Sequence, residues 1–177
     1  MTSPTFAAIA FSGSLRNGSS NTALVRLAQR IAPPELTIEI IDWVDQLPWM
    51  NPDLETDPPE IVLRWWAALR GADALIIGLP EYNATPTALA KNAIDWLSRP
   101  PADAGRVFRG RPVAVIGASP GGFGTILGQN AWLPVLRTLG CDVWTGGRLL
   151  VSRADGLVDA AGNLADPATR ENLGKFL

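Results

Sequence analysis

Phe6-Ala-Ala-Ile-Ala-Phe11, followed at once by Ser12-Gly-Ser-Leu-Arg-Asn-Gly-Ser-Ser-Asn-Thr22 and then by an apolar stripe at Leu24, Leu27, Ala28 and Ile31, is the stretch on which the fold turns. The first run is nearly continuous in apolar residues, the pattern of a strand covered on both faces. The stripe falls at i, i+3, i+4 and i+7, one face of a helix. That helix must stop before Pro33 and Pro34, because the residue preceding a proline avoids helical backbone. A buried strand, a polar turn and a helix are the opening of a βαβ unit, since parallel strands need a crossover between them.

Working outward, the same alternation recurs along the chain. Residues 36–44 (LTIEIIDWV) read as the second strand and 45–59 as a loop rich in proline and acids. A helix is expected over 61–69, with Gly71 as its stop, and a third strand over 74–78. Thr85 is the expected N-cap of the next helix, with Pro86 at its first position and Leu89, Ala90, Ala93, Ile94 and Leu97 as its buried stripe. A fourth strand over 113–117, a helix over 129–139 that Pro134 should kink, a fifth strand over 141–150 and a closing helix over 169–177 complete the pattern. Five strands alternating with helices predict an α/β fold, a doubly wound five-stranded parallel sheet with helices on both faces, in one domain spanning 1–177.

The composition narrows the chemistry. The 177 residues include 15 Lys plus Arg, 17 Asp plus Glu, one Cys and no His, for a net charge of -2. Without histidine there is no Ser-His-Asp or Cys-His nucleophile system and no His-ligated metal. Cys141 alone permits neither an internal disulfide nor a cysteine metal cluster, so a reducing cytoplasm is the expected setting. No basic footprint for nucleic acid is present. Residues 1–11 lack a basic segment leading into an apolar run and cleavage site, and no run of about 18 apolar residues predicts a membrane span. The acids Asp42, Asp45, Asp53, Glu55 and Asp57 fit no cation-binding spacing, so no metal site is expected.

In a doubly wound sheet, ligands bind beyond the carboxyl ends of the strands. Three loops lie there: 12–22, 79–85 and 118–129. The first packs Ser14, Ser19, Ser20 and Thr22, an amide and Arg16 against a helix start, whose free N–H groups and dipole favour an anion. Gly13 and Gly18 have P-loop spacing, but Ser19 stands where that motif requires lysine, and G-x-G-x-x-G is absent. One arginine among neutral donors suits a terminal phosphate monoester. The third loop contains Gly117-Ala-Ser-Pro-Gly121, the spacing of a nucleophile elbow. That reading fails twice: there is no histidine, and Pro120 has no N–H for an oxyanion hole. Ser119 reads instead as a hydrogen-bonding residue on a turn whose glycines, Gly121, Gly122 and Gly124, admit a flat ligand. The second loop carries Tyr82, the only tyrosine.

Taken together, Gly13-Ser-Leu-Arg-Asn-Gly-Ser-Ser-Asn21, Pro80-Glu-Tyr-Asn83 with Lys91-Asn-Ala-Ile-Asp-Trp-Leu97, and Ser119-Pro-Gly-Gly122 resemble the NADPH-dependent FMN reductase family. These are flavodoxin-like flavoproteins that include chromate, quinone and azo reductases. The resemblance spans nearly the whole chain. It implies strand order 2-1-3-4-5, FMN as cofactor and NADPH or NADH as hydride donor. It places Ser14, Arg16, Ser19, Ser20 and Asn21 around the FMN phosphate, Pro80, Glu81, Tyr82 and Asn83 along the isoalloxazine ring, and Ser119 and Gly122 near its other edge. It also implies a homodimer or homotetramer and a ping-pong transfer to a quinone, flavin, azo compound or metal oxyanion, with no catalytic side chain beyond the flavin. Where the family commonly continues from paired glycines to an arginine, this chain has Thr125 and Leu127, which weakens the expected tetramer contacts. A flavodoxin-type electron carrier shares the fold and cofactor but generally has a Thr-rich phosphate loop and a strongly acidic surface. A flavin-free interaction module would lack flavin absorbance altogether.

Seven Trp among thirteen aromatics is unusual. Trp65 and Trp66 are adjacent on a helix, about 100° apart, so at least one is expected at a subunit interface or near the flavin. Cys141 reads as a small apolar residue rather than a redox thiol.

Overall fold

The computed structural model describes residues 5–177; residues 1–4, part of the segment read above as lacking a leader, lie outside the described residues. The elements in chain order are β1 (Phe6–Ser12), α1 (Ser20–Ile31), β2 (Leu36–Ile40), α2 (Glu60–Arg70), β3 (Ala74–Gly78), β4 (Glu81–Tyr82), β5 (Thr85–Pro86), α3 (Ala88–Leu97), α4 (Pro101–Phe108), β6 (Pro112–Ala118), α5 (Ile126–Leu139), β7 (Asp142–Val143), β8 (Leu149–Val151) and α6 (Pro167–Phe176). The main sheet is parallel in the order β2-β1-β3-β6-β7, with β8 also on β6. This is the doubly wound order expected of the flavodoxin-like class, with β7 and β8 sharing the fifth position.

The alternation along β1 explains its two coatings. Ile9 and Phe11 face one core with Trp65, Leu75, Ile77 and Trp96, while Ala8 and Ala10 face the other with Leu24, Leu27, Ile116 and Leu173. Successive side chains on a strand point to opposite faces, so an apolar run with no polar interruption is what a doubly covered strand requires. Each fully buried aliphatic or phenyl side chain contributes roughly 1.5–3 kcal/mol of transfer free energy. Among the described residues no helix is long and apolar enough to cross a membrane.

Several boundaries differ from expectation. The second strand ends at Ile40 rather than residue 44, and Val44–Gln46 form a short 3-10 turn. Trp43 and Val44 are apolar because they roof the core beside α2, at 8% and 4% exposure, and not because they extend the ladder. The helix after β3 is capped by Thr87, whose hydroxyl accepts from the Ala90 N–H; Thr85 and Pro86 pair instead with Glu81 and Tyr82 in a small antiparallel hairpin. Helix α4 has no counterpart in the sequence reading, although Pro101 at its first turn is a start signal. Helix α5 begins at Ile126 rather than Gln129 and runs unbroken through Pro134. The closing helix starts two residues earlier than expected, at Pro167, behind an Asp166 cap.

The expected fifth strand is split. Val143 pairs with Val113 and Leu149 with Ile116, so five residues, 144–148, span a gap that only two occupy on β6. The surplus residues leave the ladder as a loop containing Gly146 and Gly147. Trp65 and Trp66 are both buried, at 0% and 6% exposure, which overturns the expectation of an interface position. Their indole N–H groups donate to the Ala93 and Trp96 carbonyls at 2.8 and 2.6 Å. The second face of α2 is covered by α3 of the same chain.

Candidate functional site

The loop after β1 is shaped by its own polar side chains. Ser19 is the N-cap of α1, its hydroxyl accepting from the Thr22 N–H at 3.2 Å, and Ser14 Oγ accepts from the Arg16 N–H at 3.3 Å. Thr22 in turn donates its hydroxyl to Ser12 Oγ at 2.9 Å. The N–H groups of Ser20 and Asn21, in the first turn, have no intrahelical acceptor by helix geometry. Arg16 is exposed, reaches only the Gly18 carbonyl at 3.4 Å and forms no ion pair among the described residues. A guanidinium with no ion pair among the described residues, beside a capped helix start flanked by hydroxyls, is a donor set of the chemical type a phosphate monoester takes.

Asn21 is buried and differs from its neighbours. Its amide nitrogen donates to the Ala118 carbonyl at 2.8 Å and its amide oxygen accepts from the Ala118 N–H at 2.9 Å. The side chain therefore ties the start of α1 to the end of β6, bringing the first and third loops together. Gly13 holds the second junction. Thr87 Oγ1 donates to its carbonyl at 2.7 Å, and a Cβ on Gly13 would lie 2.9 Å from that hydroxyl and 3.1 Å from the Pro80 ring, so only glycine allows this approach.

The second loop is the β4–β5 hairpin. Asn83 and Ala84 form its tip, both at positive φ, 52° and 63°. Glu81 reaches into the first turn of α5, where its carboxylate accepts from the Gly128 N–H at 2.8 Å. Pro80 is buried, whereas Tyr82 is 57% exposed. In the third loop, Ser119 donates its N–H to the Val151 carbonyl and accepts from the Ala154 N–H, each at 2.9 Å. Gly121 and Gly122 are exposed with open space around them. Gly124 is a packing glycine: at φ 56° its Cβ would meet the Leu150 carbonyl carbon at 2.6 Å.

Two cavities open beside these loops. One, about 720 Å³, is lined by Ser14, Arg16, Ser19, Arg26, Asp42 and Asp45 among others. The other, about 500 Å³, is walled by Leu15, Leu47, Trp49, Tyr82 and Leu89, with Gly13 and Asn92 among its further lining. Leu15, Arg16 and Asp45 border both, so the segment after Ser14 is the ridge between a polar and a largely apolar compartment. Of the residues singled out from sequence, Ser14, Arg16, Ser19 and Tyr82 line these cavities; Ser20, Asn21, Pro80, Glu81, Asn83, Ser119 and Gly122 border neither. Sequence reasoning missed Leu15, Trp49, Thr87 and Asn92. Asn92 carried a signal, an amide on an otherwise apolar helix face; Trp49 carried none beyond its size. Among the described residues no group of three metal-ligating side chains occurs.

The parallel 2-1-3-4-5 sheet with a phosphate-type loop after β1 defines the class, a flavodoxin-like α/β protein. Comparison with known proteins narrows it. The family model described as NADPH-dependent FMN reductase matches residues 7–156. An NAD(P)H-dependent FMN reductase of Pseudomonas aeruginosa is 38% identical over 164 residues, covering 92% of this chain and 86% of its own. A 2-hydroxy-1,4-benzoquinone reductase of a Burkholderia species is 32% identical over 165 residues, 93% of this chain and 88% of that protein. The solved structure of FerB, a flavoenzyme NAD(P)H:(acceptor) oxidoreductase from Paracoccus denitrificans, aligns with a TM-score of 0.86 at 32% identity, covering 97% of this chain and 93% of that one. The chain belongs to the NADPH-dependent FMN reductase family and is an oxidoreductase that works through FMN and a reduced nicotinamide nucleotide.

Proposed function

We propose that this protein oxidises NADPH or NADH and passes the electrons to a small acceptor of the quinone type. The observation that carries this reading is the pair of compartments divided by Leu15 and Arg16, one polar, with Arg16, Arg26 and serine hydroxyls facing Asp42 and Asp45, and one largely apolar. The relatives described as quinone-directed and acceptor-directed enzymes support the same choice. Bound FMN would supply the hydride-accepting ring that no side chain of this chain replaces.

The motifs shared with the family support the residue roles in this proposal. Arg16, Ser14, Ser19, Ser20 and the first-turn N–H groups of α1 hold the phosphate, and Asn21 fixes the loop that presents them. Pro80, Glu81, Tyr82 and Asn83 set the hairpin beside the ring, with Glu81 anchoring it to α5. Ser119 and Gly122 bound the far edge. Leu15, Leu47 and Leu89 give the second compartment an apolar wall against which a flat ring can bury its surface. A second copy of the chain is part of this proposal, supported by exposed apolar residues at the start of and along α5, Phe123, Leu127 and Leu133.

The test is spectroscopic. Purified protein should carry flavin absorbance, bleach anaerobically on addition of NADPH or NADH, and recolour with a quinone. Bleaching by neither nucleotide would leave a flavodoxin-type carrier. Arg16→Ala should weaken FMN binding by about 10- to 100-fold, as expected for the loss of a charge-assisted contact of roughly 1.5–3 kcal/mol. An unchanged dissociation constant by fluorescence titration would remove Arg16 from the phosphate site.

A further inference from the structure

Trp49 is the second most exposed large apolar side chain among the described residues, at 71%, yet the backbone on either side of it is held firmly. The carbonyl of Pro48 accepts from Asn92 Nδ2 at 3.0 Å and from the Trp96 indole N–H at 2.8 Å. The Met50 N–H donates to Asn92 Oδ1 at 2.7 Å. Both clamping residues belong to α3 and are themselves buried, Asn92 at 7% and Trp96 at 0% exposure. A buried amide and a buried indole thus fix residues 48 and 50, and the side chain between them is left uncovered.

An exposed indole on a mobile loop needs no explanation, because isolated surface aromatics are common. One on a pinned backbone is a rigid platform whose apolar face stays hydrated until something covers it. The surroundings say what shape that must be. Trp49 lines the 500 Å³ compartment with Leu15 and Tyr82, and both of those are also exposed, at 67% and 57%. Three large side chains around one cavity, each left uncovered by the described residues, make a site for a flat apolar ring. An indole has an electron-rich face, and quinoid rings are electron-poor, so offset stacking between them is favourable beyond the area it buries.

We propose that Trp49, fixed by Asn92 and Trp96, is the aromatic wall that selects flat quinoid acceptors at this site. The proposal rests on the flavin reading above and adds to it a specificity-determining residue. Trp49 contributes to holding the acceptor, whereas the FMN phosphate is held by the loop on the other side of the Leu15 ridge and Tyr82 adjoins the flavin ring that the acceptor must reach.

The test uses FMN-loaded wild-type, Trp49→Ala and Trp49→Phe proteins titrated calorimetrically with 2-methyl-1,4-naphthoquinone in the absence of nicotinamide nucleotide. Trp49→Ala should bind the naphthoquinone about tenfold more weakly, equivalent to about 1.4 kcal/mol, and Trp49→Phe should recover most of that loss. In turnover, KM for the naphthoquinone should rise by about the same factor at nearly constant kcat. For ferricyanide, which has no ring to stack, KM should rise much less in Trp49→Ala than it does for the naphthoquinone. Equal naphthoquinone affinity in wild type and Trp49→Ala overturns the assignment. So does a loss of FMN affinity in Trp49→Ala as large as its loss of naphthoquinone affinity, which would place the indole against the cofactor. Wild-type protein that takes up no FMN, or is bleached by neither nucleotide, overturns instead the flavin reading beneath it.

Discussion

At the scale of single residues, Asn21 and Arg16 show how neighbours on one loop divide the labour. Arg16 is exposed and forms no ion pair among the described residues, so its removal should be felt in ligand affinity and little in stability. Asn21 uses both ends of its amide on the backbone of Ala118, which is 3% exposed. Asn21→Ala leaves a buried N–H and C=O without partners, a cost of about 2–4 kcal/mol. The melting temperature of the FMN-free protein should fall by roughly 5–15 °C. A drop in FMN affinity with no drop in melting temperature would instead make Asn21 a ligand contact. The sequence announced both residues as polar members of a βα loop, but which was free and which was engaged depended on Ala118, 97 positions away.

At the scale of elements, the β4–β5 hairpin carries a local conflict. Its turn has positive φ at two successive residues, the geometry that favours Asn-Gly, and the chain supplies Asn83-Ala84. Alanine in left-handed backbone costs about 1–2 kcal/mol, while glycine costs roughly 0.5–1 kcal/mol in unfolded-state entropy. Ala84→Gly should therefore stabilise the protein by about 0.5–1 kcal/mol, or roughly 1–4 °C, measurable by thermal denaturation. A lower melting temperature would mean that the Ala84 methyl makes a contact the hairpin depends on. The hairpin also explains why the helix is capped two residues later than the sequence predicts. Thr85-Pro86 and Thr87 are equally plausible caps in isolation, and Glu81, by bonding to Gly128, draws the first pair into the hairpin. The fifth strand is shorter and more broken than the sequence predicts for a related reason: the surplus of residues 144–148 over their partners on β6 is visible only once the pairing is known.

At the scale of the whole molecule, the absence of histidine shapes the response to pH. On the acid side, hydrogen bonds from the Thr169 hydroxyl and N–H hold the Asp166 carboxyl below the usual range, and the Lys175 ammonium does the same for Glu171. A depressed carboxyl stabilises the fold above its unfolded value and loses that contribution as pH falls through its folded value. On the alkaline side, burial pushes the Cys141 thiol up from 9.0 to about 11. Across that window the unfolded chain sheds a proton that the folded chain retains, so stability must fall as pH rises. Urea midpoints should be flat from about pH 5 to 8 and decline beyond about pH 9, and Cys141→Ala should lessen the alkaline decline. A slope centred near neutrality in the FMN-free protein would contradict this, since no imidazole is present to cause one.

The sequence by itself determined the α/β class, the alternation of strands and helices, and the loop that presents Arg16 and its hydroxyls, because all three depend on short-range periodicity and turn chemistry. It also excluded histidine-based catalysis by composition alone. The tertiary structure alone decided that Trp65 and Trp66 are both interior and that Trp49 stands rigid and uncovered beside Leu15 and Tyr82. The physical reason is range: a residue's exposure is set by what α3 and the 41–54 segment bring against it from tens of residues away, and no local pattern records that contact.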